Sequence, residues 1–137
     1  MSKKDKARAW ASFSRWVRAR DARGGLYAIC FTCGKPYEAM KMQAGHWLPR
    51  HKTGTFLDAH NVHAQCVGCN MYGRGRIAEY ANALITRYGP DELEVLTRLS
   101  AVTVHVDDWG YWERIFDEAL ILRRWEINPW REFVEGI

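Results

Sequence analysis

No stretch of this chain approaches the roughly 18 consecutive apolar residues that a membrane span requires. The N-terminal stretch, Met1-Ser2-Lys3-Lys4-Asp5-Lys6, is charged, and no apolar run of the kind that marks a secretory signal follows it. A cytoplasmic protein without membrane contact is the expectation. Internal repeats and low-complexity linkers are also missing, so nothing divides the 137 residues into two domains. With 47% hydrophobic and 13% aromatic residues, the chain is no disordered tail. Cysteine is scarce, with only four residues, and none is left over once they are paired.

Those four form two knuckles, Cys30-Phe-Thr-Cys33 and Cys66-Val-Gly-Cys69, with 32 residues between them. Two such pairs can supply four thiolates to one tetrahedral zinc, which would clamp both ends of the intervening segment. Disulfides are the competing account. A reducing cytosol disfavours them, and the spacing favours metal.

Charge is unevenly spread. Residues 1–23 carry eight Lys/Arg against Asp5 and Asp21, residues 24–73 are net +2, and the remainder is net −4. The positive potential therefore lies at the N-terminus and around the cysteines, where a polyanion such as DNA or RNA would dock.

Periodicity predicts a helix from about Asp5 to Asp21, with Trp10, Phe13 and Val17 on one face and arginines on the other, ended by Gly24-Gly25. Residues 26–70 read as short strands and knuckle turns. A helix should then run from near Met71 to Tyr88, with Ile77, Tyr80, Leu84 and Tyr88 on one stripe, stopped by Gly89-Pro90. A short helix over Asp91–Ser100 turns Leu93, Leu96 and Leu99 inward. Asp107 or Asp108 caps a last long helix that Pro129 ends, with Trp112, Ile115, Phe116, Ala119 and Leu122 as its apolar stripe. A tryptophan-rich stripe of this kind is read as core or dimer contact rather than a ligand box. The parts are a basic helix (1–25), a cysteine-bearing centre (26–88) and a helical C-terminal part (89–137).

The enclosed segment holds Ala44-Gly45-His46, then Asn61-Val-His-Ala-Gln-Cys66, and Asn70 directly after Cys69. A histidine suits proton abstraction near neutral pH, and amide or carboxylate oxygens suit a hard divalent ion. The order and spacing of His46, Asn61 and Asn70 resemble the HNH endonucleases. Within these the chain is most similar to the NinG/Rap recombination nucleases of lambdoid phages. Phe13-Ser14-Arg15-Trp16-Val17-Arg18-Ala19-Arg20-Asp21, Cys-x-Thr-Cys-Gly at 30–34, Ala-Gly-His at 44–46, Gln65-Cys-x-x-Cys-Asn70, and Tyr80 with Tyr88-Gly89 carry the likeness. It covers roughly residues 5–100, and the Trp-rich end matches least.

The resemblance implies an α+β, mainly helical fold. Its zinc-stapled, treble-clef-like ββα-metal core would be flanked by N- and C-terminal helices. It also implies cleavage of branched DNA such as Holliday junctions in a bacterial host cell, with Mg²⁺ or Mn²⁺ as the catalytic ion. By the same resemblance His46 would be the general base, Asn61 the residue that holds the loop, and Asn70 a ligand of that ion. Cys30, Cys33, Cys66 and Cys69 would hold structural zinc. Many HNH enzymes place a metal-binding Asp before the histidine, whereas here Gly45 offers only a carbonyl. Asp58, His60 and His63 are the nearby candidates for the second ligand, with Asp58 favoured as a carboxylate. Arg50, Lys52, Arg74 and Arg76 around the site, and Arg15, Arg18 and Arg20 on the first helix, are candidate phosphate contacts. A junction-cutting enzyme would be a two-fold dimer for economy. A silent zinc module that binds DNA or RNA, and a protein-interaction zinc domain, stand as alternatives.

Overall fold

The computed structural model describes residues 3–137, so Met1 and Ser2, which open the charged N-terminal stretch, lie outside the described residues. Helix α1 (Lys3–Asp21) buries Ala9, Ser12, Phe13, Trp16 and Val17. The spacing of these residues follows the 3.6-residue helical repeat. Its end is the glycine turn the sequence predicts: Gly24 sits at φ 75° and its N–H reaches the Ala19 carbonyl at 2.9 Å.

Two antiparallel hairpins follow. Strands β1 (Tyr27–Ile29) and β2 (Pro36–Glu38) flank the first cysteine knuckle. Strands β3 (Gln43–His46) and β4 (Val62–Gln65) pair Gln43 with Gln65 and Gly45 with His63. The Phe31 N–H donates to Ala64 O at 3.0 Å and ties one hairpin to the other. The C-terminal end of α1 holds the second hairpin. Asp21 accepts the Ala64 N–H at 2.7 Å, and Arg20 donates to the Ala59 and Val62 carbonyls at 2.7 and 2.8 Å.

The helix predicted over Met71–Tyr88 is broken. A π-helical turn covers Gly68–Tyr72, and α2 begins only at Ile77 and runs to Tyr88. Between them Arg74, Gly75 and Arg76 all adopt left-handed φ values of 54°, 85° and 49°. An α-helix cannot pass through three such residues. Tyr80 and Leu84 are buried as predicted, but Ile77, first on that stripe, is 48% exposed.

Helix α3 (Glu92–Ser100) turns Leu96 and Leu99 inward. Helix α4 (Trp109–Ile121) is capped by Asp108, whose carboxylate accepts the Tyr111 N–H. It ends at Ile121 instead of reaching Pro129, and Leu122 is half exposed. Pro129 opens a separate helix, α5 (Pro129–Glu135). Proline needs no N–H at a first helical position, so it starts helices as readily as it stops them. Core packing is the role of the tryptophan stripe: Phe116 meets Phe13 at 4.8 Å and Trp16 at 5.4 Å between ring centroids, and Trp112 meets Trp130 at 4.8 Å. One buried cluster thereby joins α1, the loop residues Phe56 and Leu57, α4 and α5.

Candidate metal centre and cleft

The cysteine knuckles meet. One sulfur from each of Cys30, Cys33, Cys66 and Cys69 lies within 4.8 Å of the other three, and all four are free thiols. Thiolates on a tetrahedral zinc stand about 3.8 Å apart, given Zn–S bonds of about 2.3 Å. The four can therefore hold a structural metal such as zinc after a small contraction. Burial opposes the Cys30 thiolate, yet N–H groups of Cys66 and Cys33 aimed at its sulfur bring the thiol down to about 6. Burial pushes Cys69 up to about 12. A cation among the sulfurs is what would let all four ionise together. Their surroundings are the small side chains Ala22, Ala28, Ala39 and Ala64 with Met42. So little apolar area makes a metal staple the natural support here.

Beside this centre an open cleft of about 910 Å³ runs between α1, β3 and the π-helical turn. His46 stands at the end of β3 in its wall. The Trp10 ring stacks on the imidazole at 4.8 Å, and the Arg50 guanidinium lies 4.4 Å over Trp10. Burial, followed by the Arg50 charge, pulls the His46 pKa down to about 4, so the ring is neutral at neutral pH. Its Nε2 is buried and has no hydrogen-bond partner. Neutral and without a partner, in a residue of the cleft wall, this nitrogen is able to accept a proton. Asn70 lines the same cleft, as do Arg18, Arg50 and Arg74, and no carboxylate is among the lining residues. Three guanidinium groups without an acid make a surface for phosphates.

Asn61 is fully buried. It accepts the Leu48 N–H at 2.9 Å and donates to the Leu48 carbonyl at 3.0 Å, while its own carbonyl accepts the Trp47 N–H at 3.0 Å. These bonds fix the loop that leaves His46. The Asn61 side chain bonds to backbone groups alone and has no place in the cleft wall.

Residues 3–108 match the family model described as Bacteriophage Lambda NinG protein. The chain belongs to the NinG family. The match runs from α1 to the cap of α4 and takes in both knuckles, His46, Asn61 and Asn70. No curated protein and no solved structure matches the chain.

Other residues expected at the site lie outside the cleft wall of this NinG-family chain. Asp58 is fully buried and accepts hydrogen bonds from Arg131, Asn128 and the His60 N–H, all at 2.9 Å. Its carboxylate is spent on linking α5 to the loop, so it is no ligand in the cleft. His63 is fully buried too, with Nδ1 on the Tyr80 hydroxyl at 3.2 Å and Nε2 on the Tyr88 hydroxyl at 2.7 Å. Both ring nitrogens are thus occupied. His60, the third candidate, pairs with Glu92. Arg20 serves the fold through Asp21, Ala59 and Val62, and its side chain is 10% exposed. Arg15 faces Asp117 of α4 at 3.6 Å. Lys52 and Arg76 are exposed but do not line the cleft. Asn70 rides on the π-helical turn instead of α2. Trp10 and Gln65 bear on the site in ways the linear pattern does not show. The helical stripe reads Trp10 as core, and nothing local distinguishes Gln65 from any strand glutamine.

Proposed function

We propose that the chain is a metal-dependent, structure-selective DNA endonuclease acting on branched recombination intermediates such as four-way junctions. The observation that carries this reading is the unpaired Nε2 of a neutral His46 in a cleft of three arginines and no acid, beside Asn70. Arg18, Arg50 and Arg74 hold the strand by its phosphates, which gives affinity without sequence preference. A water admitted to the cleft gives its proton to His46 Nε2 as its oxygen attacks phosphorus. The P–O ester bond then breaks, and the leaving oxygen takes a proton from solvent. Asn61 keeps the loop, and with it His46, in place. Asn70 Oδ1 would hold a divalent Mg²⁺ or Mn²⁺ ion, which when bound neutralises charge on the phosphate and leaving oxygen. The cysteine centre, filled by zinc, carries no chemistry and sets the position of Asn70 next to Cys69.

The absence of a carboxylate from the cleft favours a second reading, a zinc-containing module that binds DNA or RNA without cutting it. Cleavage separates the two. A labelled four-way junction and its matched linear duplex are incubated with Mg²⁺ or Mn²⁺ and either wild type or His46→Ala. Junction cuts that fall by at least about 100-fold in the mutant, with binding retained, support the nuclease. Salt-sensitive binding without any wild-type cleavage supports the silent module.

A further inference from the structure

The strand position before His46 is a glycine, and the space a side chain would fill there is already taken. A Cβ on Gly45 would collide with Gln65 Oε1 and would stand 2.8 Å from Asn70 Oδ1. Two amide oxygens from different elements thus converge beneath β3.

Both oxygens are left without a donor. Gln65 is fully buried, yet its Oε1 has no hydrogen-bond partner. Its orientation is set, because Nε2 donates to Thr32 Oγ1 at 3.1 Å and to the Gly75 carbonyl at 3.0 Å. A carbonyl can only accept, so the amide must turn its oxygen toward Gly45. Asn70 commits its Nδ2 to Gln43 Oε1 at 2.7 Å, and its Oδ1 accepts nothing among the described residues. The Gly45 carbonyl is not free either, since the Tyr80 hydroxyl donates to it at 2.6 Å.

An unpaired buried acceptor is unfavourable, and a second oxygen facing it adds repulsion. A cation between them relieves both. We propose that Gln65 Oε1 and Asn70 Oδ1 form the protein's ligand pair for the divalent cation, with Gln65 standing in for a side chain that residue 45 lacks. This rests on the nuclease reading and names the ligand that Asp58 and His63 do not supply. Two neutral amides bring no negative charge, so the free protein binds a hard ion weakly. A phosphate oxygen of the bound strand would add the negative charge that the two amides lack.

The test is a Mg²⁺ titration of the zinc-loaded, ¹⁵N-labelled wild-type chain at constant ionic strength. The side-chain amide signals of Gln65 and Asn70 are expected to shift along one shared binding curve, while those of Asn61 and Asn128 stay fixed. Movement of Asn70 with Gln65 unmoved would overturn the pairing and leave the nuclease reading intact. Stationary signals from both would also overturn it, and combined with a failure to cut junctions they would remove the nuclease reading as well. A variant pair gives an independent check by Mn²⁺ binding, with zinc content confirming the fold. Gln65→Ala should weaken Mn²⁺ binding at least about tenfold, as loss of an outer-shell partner alone does. Gly45→Asp combined with Gln65→Ala should restore it, because removing the amide makes room for the carboxylate. Unchanged Mn²⁺ affinity in Gln65→Ala would overturn the proposal.

Discussion

His46 titrates in an environment that opposes its charge, and this has a measurable sign. Its pKa in the folded chain is about 4, below the ordinary 6.5, through burial and the nearby Arg50. Between those two values the unfolded chain binds the proton and the folded one does not. Stability is therefore lost as pH falls from 6.5 toward 4, by up to about 3 kcal/mol for this group. In His46→Gln that contribution is absent. Denaturant midpoints measured from pH 7 to pH 4 should fall more steeply for wild type than for the variant, and parallel curves would show that burial does not hold His46 neutral. His46, Asn70 and the cysteines were legible as candidates because each lies in a short local pattern. The state of His46 was not, since Trp10, which stacks on it from 36 positions away, reads in sequence as one more apolar helix residue.

Among the elements, α5 shows how a contact far along the chain is decided. Arg131 donates to Asp58 Oδ2 at 2.9 Å and to Glu92 Oε1 at 2.8 Å, joining α5 to the loop before β4 and to the start of α3. Against the opposing effect of burial, the hydrogen bond from His60 and then the Arg131 guanidinium hold the Glu92 carboxyl below its usual range. Arg131→Met would leave two largely buried carboxylates without their cation, for which a loss of about 3–5 kcal/mol is expected in urea unfolding. A loss below about 1 kcal/mol would mean that the pairs behave as exposed ones do. The strand and knuckle region, α1 and α3 were readable from periodicity and glycine turns. The break at residues 73–76 was not, because two arginines there take a backbone conformation that their residue type disfavours. That conformation is held by outside bonds, one of which runs from Gln65 to the Gly75 carbonyl. Pro129 was read as a stop because proline's meaning depends on which side of it the helix lies.

At the scale of the whole molecule, stability is divided between two regions of different character. Large aromatics pack α1 against α4 and α5, whereas the hairpins surround the cysteines with alanines. Chelation should accordingly melt the hairpins first. Hydrogen exchange after treatment with a strong zinc chelator is expected to lose protection at the Phe31 amide, which links the hairpins, while amides of α1 and α4 around Phe13 and Phe116 keep theirs. Uniform loss across the chain would instead make the metal the support of the entire fold. Among the described residues no helix is long and apolar enough to cross a membrane, in line with the absence of any such run in the sequence.

Sequence alone determined the quartet of cysteines, the basic N-terminal helix, the aromatic core stripe and the membership of His46, Asn61 and Asn70 in one segment. Each of these follows from spacing along the chain, which local geometry converts directly into a turn or a face. Tertiary structure decided which groups remain free. Asp58, His63 and Arg20 have the right chemistry for the cleft, but partners from α5, α2 and the β4 backbone have claimed them. Gln65 has unremarkable chemistry, yet strand pairing and the Gly75 corner leave its oxygen unclaimed beside Asn70. Availability of a polar atom depends on every neighbour that could satisfy it, and those neighbours are assembled only by the fold.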